Sequence, residues 1–242
     1  NWSERNQRWL SQRIAIWRER IEARNRETLP APPPLEDADF RPSALRLRSL
    51  FGLSAFETEL LIAAAGVDID AAFRGVVAQA QGLSPRDAVR ISYSLALAVL
   101  PQPHWDAISP LGPLRHWLLA DFDTTSGIAQ ASVRVDERVL HFLTGVAAFD
   151  DRLAGIVERD DSAHDAAPQA LAMRIGGELT RVAHPLVLLV NAATDPQRRR
   201  AGRALARAAF HRIGLNTLWV QLPGAGLDNR DLAELARRID RE

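Results

Sequence analysis

Leu10, Ile14, Trp17 and Ile21 fall at i, i+4, i+7 and i+11, the spacing of one helix face. Trp2, Trp9 and Ile16 widen that stripe, and arginine, glutamate and glutamine, all good helix formers, fill the positions between. The pattern predicts an amphipathic helical arm over residues 1–28. Such an arm covers either the body of the chain or another subunit. Leu29-Pro-Ala-Pro-Pro-Pro34 ends it, and a stiff linker over 29–42 follows, a spacer rather than an SH3-type ligand.

From residue 43 to 145 the apolar positions return at short helical intervals. Ser43 is placed to cap a helix to Phe51, closed by Gly52. Ser54-Ala-Phe-Glu57 has the capping-box pattern and opens the apolar helix 55–65. Asp70 is placed to cap a helix over 71–81. Ser84-Pro85 predicts the start of a fourth helix, with Val89, Tyr93, Leu97 and Leu100 on one face. Two strand-capable runs, 114–122 and 128–135, flank the polar turn Asp123-Thr-Thr-Ser-Gly127 and suggest a β-hairpin. Asp136 then caps a helix ended by Gly145. Several helices followed by a hairpin is the order of a winged-helix domain.

Residues 146–166 look like a short helix and an exposed connector, and 167–183 is helical apart from the weakening pair Gly176-Gly177. Val187-Leu-Leu-Val190 is a continuous apolar run, as in a parallel strand covered on both faces. A loop, a helix over 201–214, a second run at 217–222 and a final helix, 228–241, complete a β-α-β unit. The fold class expected is mostly α, with an α+β winged-helix-like domain (43–145), followed by the opening of a P-loop-like α/β domain (167–242). Two parallel strands with two helices leave apolar faces and an edge exposed. Either the rest of the chain covers them or the segment comes from a longer protein.

Composition narrows the function classes. The 30 basic residues are all arginine, balanced by 30 acidic ones, so no net field draws the chain onto nucleic acid or membrane. The absence of cysteine excludes thiol catalysis, cysteine-rich zinc sites and disulfides, and fits a cytoplasmic protein. No apolar run approaches the roughly 18 residues of a membrane span, so no membrane is expected as a partner. The six histidines show no ligand spacing, and no Gly-x-Ser-x-Gly elbow occurs. Glu57 with Glu59, and Asp68 with Asp70, pair carboxylates by sequence alone.

The loop before the 201–214 helix has the place of a phosphate cradle without its chemistry. Such a loop needs glycines whose backbone N–H groups approach phosphate, a lysine for the outer phosphates and a hydroxyl for magnesium. Here it is Ala192-Ala-Thr-Asp-Pro-Gln-Arg-Arg199. Ala192, Thr194, Asp195, Arg198 and Arg199 mark a vestigial site. Asp195 before Pro196 would cap the helix with a carboxylate where phosphate would sit. Arg198, Arg199 and Arg200 crowd the first turn, which the helix dipole disfavours. They suit a phosphate, an acidic partner or a solvated face.

Duplex DNA is a weak expectation. The candidate recognition helix carries only Arg86 and Arg90, the turn 123–127 has no basic residue, and Asp121 and Asp123 would repel phosphate.

Four phrases carry a family resemblance: Leu47-Arg-Ser-Leu-Phe-Gly-Leu-Ser-Ala-Phe-Glu-Thr-Glu-Leu-Leu61, Ser109-Pro-Leu-Gly-Pro-Leu-Arg115, Val133-Arg-Val-Asp-Glu-Arg-Val-Leu-His-Phe-Leu143, and the degenerate loop. Over about residues 45–222 the chain resembles bacterial AAA-type ATPases with an N-terminal winged-helix module, the kind often associated with contractile injection systems. The resemblance implies an ATP-hydrolysing parent protein whose first ATPase domain is degenerate. ATP and magnesium are then expected only for the rest of the parent, and these residues are not expected to be catalytic. The implied partner is a protein or a neighbouring subunit, a homo-oligomer included. The competing expectation is a winged-helix transcriptional regulator with an α/β dimerisation or effector domain.

Overall fold

The computed structural model describes residues 1–23, 40–84, 87–159, 169–181, 195–214, 217–220 and 228–242. It forms two compact units, one of residues 1–150 with 229–242 and the other of 151–228.

In the first unit, α1 (Trp2–Ala23) lies on α3 (Ala55–Ile69) and α4 (Ala71–Ala80). Its stripe of Leu10, Ile14, Trp17 and Ile21 is buried, so the arm covers the body of its own chain. α3 is buried on every side from Phe56 to Val67, which makes it the centre of the core rather than an amphipathic surface helix. Ser54 and Glu57 form the capping box that opens it, a cap typically contributing about 1 kcal/mol. Gly66 marks the crossing point, since a Cβ there would meet the Phe73 ring of α4 at 3.0 Å and Ile14 of α1 at 3.2 Å.

α2 (Ser43–Phe51) ends at Gly52, whose φ of 67° is the left-handed conformation a C-cap needs. Its N-cap is Pro42, not Ser43. Ser43 instead ties three elements together: its N–H donates to Asn6 Oδ1 (2.8 Å), and its hydroxyl reaches the Leu143 carbonyl (2.8 Å). Asn6 Nδ2 donates to the same carbonyl (2.9 Å). The fully buried Asn6 therefore joins α1, the start of α2 and the end of α7 (Glu137–Thr144).

The helix expected from Ser84-Pro85 is not formed as read. The chain runs as β1 (Ile91–Ser92) and the shorter α5 (Tyr93–Val99), capped by Ser92, whose side chain accepts from Leu95 N–H. Val89, Ile91 and Tyr93 are buried while Arg90 and Ser92 are half-buried. That period of two is a strand signal, and it coincides over Val89 and Tyr93 with the helical spacing. The run beginning at Leu114 is also not strand from its start. α6 (Pro113–His116) is one helical turn with proline at its first position. β2 (Ala120–Asp123) follows, then β3 (Ser132–Val135). The antiparallel sheet has the order β1-β3-β2, with Ile91 opposite Val133 and Phe122 opposite Val133 from the other side. Asp136 caps α7, and Gly145 ends it at φ 83°.

The second unit contains β4 (Val157–Arg159), α8 (Gln169–Leu179), α9 (Pro196–Arg212) and β5 (Leu218–Val220). β4 falls in the stretch expected to be an exposed connector, and it pairs antiparallel with β5, Val157 opposite Val220. The first strand of the expected β-α-β unit, 187–190, lies outside the described residues. Among those described, the neighbour of β5 is β4, and the pairing is not parallel. Gly176 lets α8 approach α9 closely, for a Cβ there would meet the Ala209 carbonyl at 3.2 Å. The last helix, α10 (Asn229–Arg241), belongs to the first unit.

Candidate functional site

The face a winged helix would turn to DNA is built from α6 and the turn between β2 and β3. With β1 paired to β3, the helix directly before β2 takes the recognition position. That helix is α6, a single turn, rather than the 85–100 segment. Its Arg115 is spent within the fold, donating to the Ile108 carbonyl at 3.3 Å. The wing, residues 124–131, is exposed up to Gln130 and carries no basic side chain. Asp123 closes its first turn by accepting from Thr125 N–H (3.0 Å) and Oγ1 (2.7 Å), which lowers the pKa of its carboxyl. That carboxylate is exposed and charged at neutral pH, and two residues earlier on the same strand Asp121 stands opposite Arg134 of β3. The surface offers phosphate very little to grip.

Of the vestigial loop, Ala192 and Thr194 lie outside the described residues, as does the side chain of Arg199. Asp195 caps α9 by accepting from Gln197 N–H at 2.8 Å, with Pro196 next. Arg198 folds back to Asp195 at 3.5 Å, both exposed. Helix cap and neighbouring cation thus satisfy each other.

The carboxylates paired by sequence separate in space. Glu57 closes the capping box, whereas Glu59 accepts from Arg13 Nε at 3.0 and 3.1 Å and from Trp17 Nε1 at 2.8 Å. Asp68 holds Arg90 at 3.0 Å, and Asp70 caps α4. Ser54 Oγ lies 2.8 Å from His104 Nε2, and His104 Nδ1 lies 2.5 Å from Asp106. The connectivity is that of a nucleophilic triad. Yet Ser54 Oγ already accepts the Glu57 N–H, and the orienting carboxylate is 85 % exposed. The chain of bonds fastens the α3 cap to the turn at 105–108. Among the described residues no group of three or more histidine, cysteine or acidic side chains is placed to hold a metal.

A buried ionic cluster escaped the sequence altogether. Arg241 reaches Asp136 (3.1 Å), Asp150 (2.7 Å) and the Leu118 carbonyl (2.6 Å). Arg238 bonds Asp150 (3.0 Å) and Glu234 (2.6 Å), and Arg138 meets Glu242 at 2.9 Å. Apart from the i,i+4 pair Glu234–Arg238, its partners lie far apart in the chain, so no local spacing announces them. Leu118 has φ 53°, a conformation that strains a side chain, and α10 grips its carbonyl just where α6 turns into β2.

An open cleft of about 610 Å³ lies beside β1, lined by Gln81, Arg90, Ser92, Ser94, Gln130 and Ser132, with Leu83 and Leu95 among its apolar walls. This is within the size of small-ligand and peptide sites.

No curated protein and no solved structure matches the chain. A family model described as "Winged helix domain, variant" matches residues 1–157. The match begins at residue 1, so the matched residues include the tryptophan-bearing arm. With its β1-β3-β2 sheet, its helices and its wing accounted for, the chain belongs to the winged helix domain (variant) family.

Proposed function

We propose that this chain is the N-terminal region of a AAA-family ATPase, in which the winged helix binds or positions a protein partner or a neighbouring subunit. The observation carrying the reading is the state of the nucleic-acid face: a one-turn α6 with its arginine engaged, and a wing without cations that follows the exposed Asp121 and Asp123 of β2. A duplex reader needs cations there to hold phosphate, and the wing's one amide side chain, Gln130, accepts from Ser94 Oγ at 3.2 Å. The AAA parentage rests on the four quoted phrases, and the loop at 192–199 is its nucleotide-incompetent remnant. ATP and magnesium would then act elsewhere in the parent, and the compartment would be the cytoplasm.

Two experiments test this. Thr124→Arg combined with Ile128→Arg, both exposed wing positions, should create salt-dependent duplex binding that the wild type lacks. Tight binding by the wild type instead makes the chain a winged-helix regulator. Calorimetry with ATP and magnesium should give no binding heat. A heat signal that vanishes in Arg198→Ala would restore the loop as a nucleotide site.

A further inference from the structure

The outer edge of β1 is covered by a side chain where a neighbouring strand would otherwise pair. Tyr93 N–H points to the Ala131 carbonyl of the strand on one side. By alternation, the Arg90 carbonyl and the Ser92 N–H point away from the sheet. Neither is left to water. Gln81, the residue that ends α4, donates from Nε2 to the Arg90 carbonyl (2.8 Å) and accepts on Oε1 from Ser92 N–H (2.7 Å).

A carboxamide carries the same donor and acceptor as a peptide group. Bonding residues i−1 and i+1 around Ile91 is how one residue of a parallel strand bridges its neighbour. Gln81 therefore occupies the edge as a one-residue substitute for a strand, and such cover is what keeps an edge from indiscriminate pairing. The cleft takes in Gln81 at this edge and runs across β1 toward β3, with the hydroxyls of Ser92, Ser94 and Ser132 and the amide of Gln130 in its lining. Among the described residues that line it the one charged side chain, Arg90, is already held by Asp68, so the described lining does not call for an ionic ligand.

We infer that β1 accepts an extended, uncharged segment of a partner protein as an added parallel strand, which displaces the Gln81 carboxamide and lays small polar side chains into the cleft. The inference rests on the protein-interaction reading and gives it a location and a partner conformation.

The test uses the full chain against a displayed library of random ten-residue peptides, with selected peptides resynthesised. Binding peptides should shift the NMR signals of the Gln81 side-chain amide, Ser92 and Ser94. Gln81→Ala, which removes the competitor, should tighten binding several-fold. Ser92→Pro fits the native φ of −80° but removes the N–H an incoming strand needs, and should weaken binding at least tenfold with the helical circular dichroism retained. An empty selection overturns the inference, as does unchanged affinity in Ser92→Pro. Peptides that bind another surface of the winged-helix unit overturn it too, while leaving the interaction reading intact. Tight duplex binding by the wild type would remove that reading itself.

Discussion

Tyr93 is the only tyrosine in the chain, so its chemistry can be read without interference. Its ring meets Phe56, Phe122 and Trp105 edge-on, and its hydroxyl donates to the His104 carbonyl at 2.8 Å. Burial disfavours the phenolate and pushes its pKa up to about 12. Tyrosinate absorbance should accordingly rise near pH 12 in the native protein and near the ordinary value of about 10 once unfolded. Because the folded value is the higher one, this stabilisation is complete below pH 10 and is lost as pH climbs through 12. A native titration at the ordinary value would contradict the packing described. Glu59 is the second residue on which the core depends. In Glu59→Ala, Arg13 and Trp17 Nε1 would be buried without an acceptor, at a cost of about 3–5 kcal/mol. Urea unfolding checks this, and a loss under about 1 kcal/mol would place the pair at the surface. Neither role was legible beforehand. Glu59 stands in an apolar run whose spacing says helix, while its partners are on a helix more than 40 residues earlier.

Elements with their own punctuation were legible. Ser54 with Glu57, Asp70, Asp136 with Gly145, and Asp195 with Pro196 all mark helix ends where the sequence sets them, because each cap is a contact within a few residues. The helix after Ser84 was misread because tertiary pairing with β3 chose the period-two pattern around Ile91 over an overlapping helical one. α6 hid inside a strand-like apolar run, and only the Gly112-Pro113 step hints at it. For α10 the surprise is its location. The sequence shows it only as a final helix, yet its Arg238 and Arg241 side chains are buried against Asp136 and Asp150. The hydrogen bonds that Arg238 donates to Glu234 and Asp150 raise its pKa against the pull of desolvation. Arg241→Ala should cost about 3–5 kcal/mol, since two buried carboxylates lose a partner and the strained turn at Leu118 loses its grip. A shift in the urea midpoint too small to resolve would show that α10 does not hold this unit together.

At the scale of the molecule, the winged-helix unit is built from both ends of the chain, with residues 151–228 forming a separate compact unit between them. The family match stops at residue 157, so α10 is the part of the unit that a match to the first 157 residues does not include. Zero net charge gives no long-range field, and a wing without cations gives little local grip for phosphate. The most direct test of that account is the affinity of the whole chain for duplex DNA, followed by anisotropy at about 50 and 200 mM salt, where a phosphate-gripping protein loses about 10³-fold or more. Binding should be too weak to saturate at either concentration, with no steep salt dependence. Submicromolar binding that collapses between the two concentrations would contradict it and return the fold to nucleic-acid recognition.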